Sequence, residues 1–402
     1  MLGTPLQILM LEDDDAFAGL VARMLRSSGS ELVIAPKTEV ALKHLAARQF
    51  DVILSDLNLP DTRGIETFQK MYEAAPKLPI VVLTGEDDDA LGLRTVQSGA
   101  QDYLIKDKLE PAVLLRSLTY AIERKRMQLE AARVAEELRR QNEELNADLR
   151  MAREVQTAML PMGATRSNGM VSFAHRYLPA GPVGGDFFTE FCSPKGPCAV
   201  VLFDVMGHGV RAALVTGLLR ALVDEGSVLS LGPEKFLTLL NRNLRSIFRS
   251  ADQQIFVTAL CMVADPIEQQ VYFASAGHPN PLHLDSVNKK VTSLEATRGP
   301  PLGLTDEGNW VKHNAPFGPG HRILMFTDGL YEVEGPDGQE FGLQRVSDCA
   351  QRKIGVPGTQ LLSELVEEGQ EFSTTGDFHD DVCVILVEPE TRQINTSKSK
   401  ID

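Results

Sequence analysis

LQILMLEDD, residues 6–14, is a run of apolar side chains that ends abruptly in acid. The same texture returns downstream in ELVIA (31–35), DVILSD (51–56), LPIVVLTG (78–85) and DYLIK (102–106). Between these runs lie amphipathic stretches: AFAGLVARMLRSSG (16–29), TEVALKHLAARQF (38–50), residues 64–75, DALGLRTVQSGA (89–100) and PAVLLRSLTYAIER (111–124). Short strands that are apolar throughout, each followed by a helix, predict a doubly wound parallel sheet of five strands covered on both faces. In such sheets ligands bind beyond the carboxyl ends of the strands. Glu12 and Asp13 stand at the end of the first strand, Asp56 after the third, Thr84 after the fourth and Lys106 after the fifth. Three clustered carboxylates need a hard cation, for which Mg²⁺ is suited. A hydroxyl and an ammonium are the partners that a phosphoryl group on Asp56 would need.

These segments, with SDLNLPDTRG (55–64) and SGAQDYLIKD (98–107), resemble the response-regulator receiver family. The resemblance implies that Asp56 accepts phosphate from a cognate histidine kinase. It implies that Glu12, Asp13 and Asp56 hold Mg²⁺, that Thr84 and Lys106 read the phosphoryl group, and that Tyr103 is the aromatic switch. Asp107 stands where the family usually has proline.

From about residue 122 to 159 the texture changes, with no glycine or proline. Leu138, Leu145, Ala152 and Met159 recur every seventh residue, with Asn142 and Leu149 at the complementary positions. Residues 121–155 carry eight basic and eight acidic side chains. A heptad seam flanked by mixed charge predicts a coiled-coil linker and a homodimer, with Asn142 setting register; the alternative is one long solvated helix. Pro161 ends the helix.

Residues 171–387 read as a second globular domain of many strands and few helices, hence α+β with mostly antiparallel sheets. The expected strands are 171–175, 199–204, 256–263, 271–275, 322–327 and 381–387; the expected helices are 211–225, 233–248 and one near 357–371. Four segments each set an aspartate beside an apolar strand: GPVGGDFF with Asp186, VVLFDVMGHG with Asp204, ILMFTDGLYE with Asp328, and FHDDVCVILV with Asp380 and Asp381. No Cys or His cluster at ligand spacing accompanies them, and oxygen ligands alone point to Mg²⁺ or Mn²⁺ rather than Zn²⁺. Two such ions can share a carboxylate and activate water for attack on phosphorus. GGDFF superficially matches a diguanylate cyclase signature, but its fourth residue is Phe187 rather than an acid.

With AREVQTAMLP (152–161), SAGHPNPL (275–282) and GPPLGL (299–304), these segments resemble the PPM (protein phosphatase 2C) family in its bacterial sporulation and stress-response branch. The resemblance implies a sandwich of two antiparallel sheets flanked by helices. It implies that Asp204 bridges two Mn²⁺ or Mg²⁺ ions, with Asp186 and the Val205 carbonyl serving one and Asp328 and Asp380 the other. Asp381 would support the ligands from behind, and His208 would brace the Asp204 loop. His208, His278 and His379 are candidate general acids, and Arg211 is a candidate phosphate contact. Thr189 and Cys383 stand where the family commonly has Asp and Thr.

The expected domains are a receiver (1–124), a coiled-coil linker (125–160), a PPM-type phosphatase domain (161–390) and a disordered tail (391–402). Together they imply a receiver that controls a metal-dependent serine/threonine protein phosphatase. By resemblance, its substrate would be a phosphoserine anti-sigma-factor antagonist in a partner-switching cascade. The rival is a non-catalytic adaptor that uses a phosphatase fold to bind a sigma factor; such adaptors tend to have lost metal carboxylates. A third reading is a constitutive phosphatase whose receiver only dimerises. The 402 residues carry a net charge of −15, which argues against a nucleic-acid partner. No run approaches the ~18 apolar residues of a membrane span, and the acidic N-terminus is unlike a signal peptide, so a cytoplasmic protein is expected. Five cysteines, an odd number with no CxxC pair, predict reduced thiols rather than a disulfide framework.

Overall fold

A computed structural model describes residues 5–85, 89–161, 163, 165–223, 225–249 and 255–390. The expected disordered tail lies outside the described residues. The chain divides into two compact units, residues 1–143 and 144–402.

The first unit has strands β1 (Gln7–Leu11), β2 (Glu31–Ala35), β3 (Val52–Asp56), β4 (Ile80–Thr84) and β5 (Asp102–Ile105) in one parallel sheet of order β2-β1-β3-β4-β5. Its helices are α1 (Asp15–Leu25), α2 (Thr38–Ala47), α3 (Ile65–Ala74), α4 (Asp89–Gln97) and the start of α5 (Pro111–Met159). Every residue of β3 and β4 is buried, as continuous apolar runs require when both faces are covered. Val21 and Leu25 of α1 pack with Leu114 and Leu118 of α5 on one face; Ala41, Phe68 and Met71 cover the other. Asp14 caps α1, its Oδ1 accepting from Ala16 N at 2.8 Å.

Helix α5 is unbroken over 49 residues. Its middle is solvated: Val134, Leu138 and Leu145 are each more than half exposed, between i,i+3 and i,i+4 ion pairs such as Arg139–Glu136 and Arg139–Glu143.

The second unit stacks two antiparallel sheets. One has order β14-β11-β10-β9-β8 and the other β13-β12-β15-β16-β7-β6. The strands are β6 (Thr165–Ser167), β7 (Val171–Leu178), β8 (Asp186–Cys192), β9 (Cys198–Val205), β10 (Val257–Asp265), β11 (Gln270–Ala276), β12 (Leu282–Asp285), β13 (Lys290–Ser293), β14 (His313–Pro316), β15 (His321–Phe326) and β16 (Val382–Pro389). Side chains alternate along them with period two. Leu202, Leu260, Met325 and Ile385 fill the space between the sheets. Phe203, Val201 and Ala259 instead face α6 (Val210–Leu222), α7 (Glu225–Leu231) and α8 (Pro233–Phe248). Val384 and Leu386 face α9 (Gly342–Arg352) and α10 (Gly358–Phe372).

One expectation is corrected here. Cys192 and Cys198 form a disulfide, because the β8–β9 hairpin sets them directly opposite one another in register. A cysteine count is blind to that pairing. Cys261, Cys349 and Cys383 are free and buried. Among the described residues no helix is long and apolar enough to cross a membrane.

Candidate functional site

In the first unit the parallel strands bring the five expected polar positions to the carboxyl end of the sheet. Glu12, Asp13 and Asp56 offer ligand atoms within 4.8 Å of one another. Lys106 Nζ lies 2.6 Å from Glu12 Oε2, 2.8 Å from Asp56 Oδ2 and 4.7 Å from the centre of the Phe17 ring. Burial pushes the Glu12 carboxyl above its usual range, and Lys106 only partly offsets this. Burial disfavours the Lys106 charge, but its bonds to Asp56 and Glu12 win and raise its pKa. Thr84 is buried and its Oγ1 has no hydrogen-bond partner among the described residues. An orphaned hydroxyl beside a carboxylate pocket fits an incoming phosphoryl oxygen. Tyr103 lies half-buried on β5, its ring so close to α4 that a Cβ on Gly92 would come within 2.6 Å of it.

In the second unit the aspartates gather at one end of the inter-sheet layer. Asp186 begins β8 and is the ladder partner of Asp204 on β9. Asp328 opens a short turn after β15, and Asp380 and Asp381 immediately precede β16. Burial raises the Asp186 carboxyl well above its usual range, and Asp204, Asp381 and Asp328 add to the effect. Asp204 is pushed up to about 7 by burial and by Asp328 and Asp380. Asp328 is raised by burial and by Asp380. Asp204 therefore feels the charge of Asp328, Asp380 and Asp381. No three of these carboxylates meet within 4.8 Å, among the described residues, as the receiver triad does.

Backbone and hydroxyl partners hold the set in place. Thr327 Oγ1 donates to Asp186 Oδ2 at 2.7 Å. Asp381 Oδ1 accepts from Ala180 N at 2.8 Å, and its Oδ2 accepts from Gly185 N and Asp186 N. A Cβ on Gly329 would lie 2.2 Å from the Asp381 carbonyl oxygen, so only glycine lets the two aspartate segments approach. His278 is fully buried, and burial lowers its pKa to about 3. Its Nε2 faces the Phe326 carbonyl at 3.2 Å and must carry the proton, so Nδ1 accepts from Thr258 Oγ1 at 2.8 Å. Thr258 Oγ1 also lies 3.3 Å from Asp204 Oδ2, so its single proton is shared between His278 and Asp204 as alternative acceptors.

The histidines divide. His278 is a buried neutral brace, unsuited to proton donation at neutral pH. His208 and His379 are exposed; among the described residues His208 makes no hydrogen bond to the Asp204 loop, and it lines a cavity with Met206, Arg211 and Leu214. Thr258, Thr327 and Gln156 are contributors that motif reading passed over. Two of them sit inside quoted motifs, as the residue before Asp328 and in AREVQ.

The parallel sheet with its acid-lysine pocket defines a receiver domain, and the stacked antiparallel sheets with four converging aspartates define a PPM-type phosphatase fold. The response regulator receiver domain model matches residues 8–119 of the chain, and the Stage II sporulation protein E model matches residues 194–390. The chain is similar to the phosphoserine phosphatase RsbP of Bacillus subtilis, 26% identical over 242 residues, covering 60% of this chain and 57% of that protein. It is also similar to the phosphoserine phosphatase RsbU of the same organism, 24% identical over 261 residues, covering 62% and 72%. The chain thus spans little more than half the length of RsbP. In fold it is similar to the SiaA-PP2C domain of Pseudomonas aeruginosa (TM-score 0.53, 24% identity, covering 61% of this chain and 97% of that domain).

Proposed function

We propose that the chain is a two-component output enzyme, in which aspartyl phosphorylation of the receiver controls a metal-dependent protein-serine/threonine phosphatase. The observation that carries it is the field at Asp204: a carboxylate raised to about 7 by burial, Asp328 and Asp380, with its ladder partner Asp186 alongside. Carboxylates are held together against such repulsion where cations offset it. Asp204 would be shared by two Mn²⁺ or Mg²⁺ ions; Asp186 and the Val205 carbonyl would serve one, Asp328 and Asp380 the other. Such a pair supplies Lewis acidity toward a phosphoryl group and a nucleophile from water at neutral pH. The protein's part is to keep the carboxylates oriented: Thr327 orients Asp186, and Asp381 holds the backbone ahead of it. In the receiver, Glu12, Asp13 and Asp56 would hold Mg²⁺, with Thr84 and Lys106 reaching a phosphoryl group on Asp56.

The names of RsbP and RsbU support a phosphoserine substrate, and the partner-switching reading makes it an anti-sigma-factor antagonist. A histidine kinase is the phosphate source that a receiver implies, and the exposed stripe on α5 supports a homodimer. The test is release of phosphate from a phosphoserine peptide by the full chain, with Mn²⁺ and with EDTA. Metal-dependent release is expected. Its absence under both conditions, from a folded protein, would leave the adaptor reading.

A further inference from the structure

Gln156 lies near the end of α5 and is 6% exposed. Its side-chain amide makes both backbone bonds that Gly184 offers: Nε2 donates to the Gly184 carbonyl at 2.7 Å, and Oε1 accepts from Gly184 N at 3.1 Å. A carbonyl only accepts and an N–H only donates, so these partners fix which end of the amide is which. Nε2 also donates to Thr216 Oγ1 on α6 at 3.0 Å, while the Thr216 hydroxyl donates to the Ala213 carbonyl at 2.8 Å.

Gly184 stands two residues before Asp186. The next two N–H groups, of Gly185 and Asp186, both point to Asp381 Oδ2. The Gly185 carbonyl in turn accepts from Val205 N at 3.2 Å. The segment 184–186 is therefore gripped by Gln156 at one end and Asp381 at the other, and it contacts the backbone of Val205. No side chain is tolerated at Gly184, where a Cβ would lie 2.2 Å from Tyr177 Oη and 2.6 Å from Asp381 Oδ2. Consecutive glycines have wide conformational freedom of their own. What aims the Asp186 carboxylate is the set of bonds that hold them.

We propose that Gln156 is a positioning residue for the metal half-site formed by Asp186 and the Val205 carbonyl, a proposal that rests on the metal-site reading above. Without it, the Gly184 N–H and carbonyl are left buried and unpaired. The loop then relaxes to find other partners, and Asp186 leaves the geometry that a divalent ion requires. Outer groups that orient ligands typically change metal affinity or activity by about 10- to 100-fold.

The test uses the full chain with Gln156→Met, which keeps much of the buried volume and removes the three bonds. The receiver's own metal site is silenced by Asp13→Asn in both proteins. Mn²⁺ binding is followed by the electron paramagnetic resonance of free Mn²⁺, alongside phosphate release at increasing Mn²⁺ and melting curves in EDTA. The expected result is about 10- to 100-fold weaker binding of Mn²⁺, with turnover recovered at high Mn²⁺ and cooperative melting retained. Unchanged Mn²⁺ affinity overturns the proposal. So does lost turnover that excess Mn²⁺ does not restore, because that marks a packing role. If the parent protein binds Mn²⁺ yet releases no phosphate, the phosphatase reading fails while the binding comparison still decides the role of Gln156. If the parent binds no Mn²⁺, both readings fall.

Discussion

Asp186 and Asp204 are direct neighbours across the β8–β9 ladder, and each carboxyl is raised by the presence of the other acids around it. Like charges opposite one another destabilise a sheet. Here the pairing stands at the end of the sandwich, where Thr327 and the backbone ahead of Asp186 are bound and Thr258 Oγ1 lies 3.3 Å from Asp204 Oδ2.

Asp204→Asn is expected to abolish metal-dependent turnover, to below about 1% of the parent rate, the scale seen when a group that stabilises charge at the reacting centre is lost. The fold is expected to survive, since an amide occupies the same volume without the repulsion. Circular dichroism and phosphate release on the same sample check both; near-normal turnover with Mn²⁺ removes Asp204 from the site.

Asp56 is expected to control turnover, and activation is the expected sign. Phosphorylation places charge between Lys106, which now bridges Glu12 and Asp56, and the unpartnered Thr84 hydroxyl. The check is turnover with and without beryllofluoride, in the parent protein and in Asp56→Ala. Equal rates in all four conditions favour a constitutive enzyme, whereas inhibition reverses the sign and keeps the coupling.

The stripe on α5 is expected to pair with a second copy. Leu138 and Leu145 are 63% and 58% exposed in the single chain, an apolar seam with no cover within it. Leu145→Glu together with Leu149→Glu is expected to convert a dimer to a monomer in light scattering at micromolar concentration, because unpaired charges on a buried seam are costly. A parent protein that is already monomeric refutes the seam.

Glu190 on β8 is buried with neither carboxylate oxygen hydrogen-bonded among the described residues, and burial pushes its pKa up to about 7. His175 Nδ1, 3.8 Å away, is held mostly neutral by its own burial. A carboxyl with a folded pKa above its unfolded value binds more protons when folded, so stability falls as pH rises from about 4.5 to about 7 and then levels off. Glu190→Gln is expected to remove that slope and to raise stability at pH 8 by about 1–3 kcal/mol. Melting temperatures across pH 5–8 read it; identical slopes in parent and variant disprove it.

Much of the molecule was legible from side-chain pattern alone. The inner parallel strands were visible because burial on both faces leaves continuous apolar runs, and the helix expected at 233–248 is α8, with the same limits. Strands β6, β8, β12, β13 and β14 were not read from the sequence. Of these, β6, β13 and β14 are edge strands, short and largely exposed, with no apolar face to mark them. Helix α9 was missed because only Val346, Cys349 and Ala350 are buried along its eleven residues.

The acids proposed as metal ligands could be picked out from sequence, because four separate segments each set an aspartate beside an apolar strand. What holds those acids could not. The Cys192–Cys198 pairing, the Thr258–His278 bond beside Asp204, and the grip of Gln156 on Gly184 join residues that are unremarkable where they stand. Gln156 and Gly184 are 28 residues apart, and Asp381 and Gly185 are 196 apart. A hydrogen bond depends on direction and on distances of a few tenths of an ångström, and only the packed sheets and helices set those for groups so far apart in the chain.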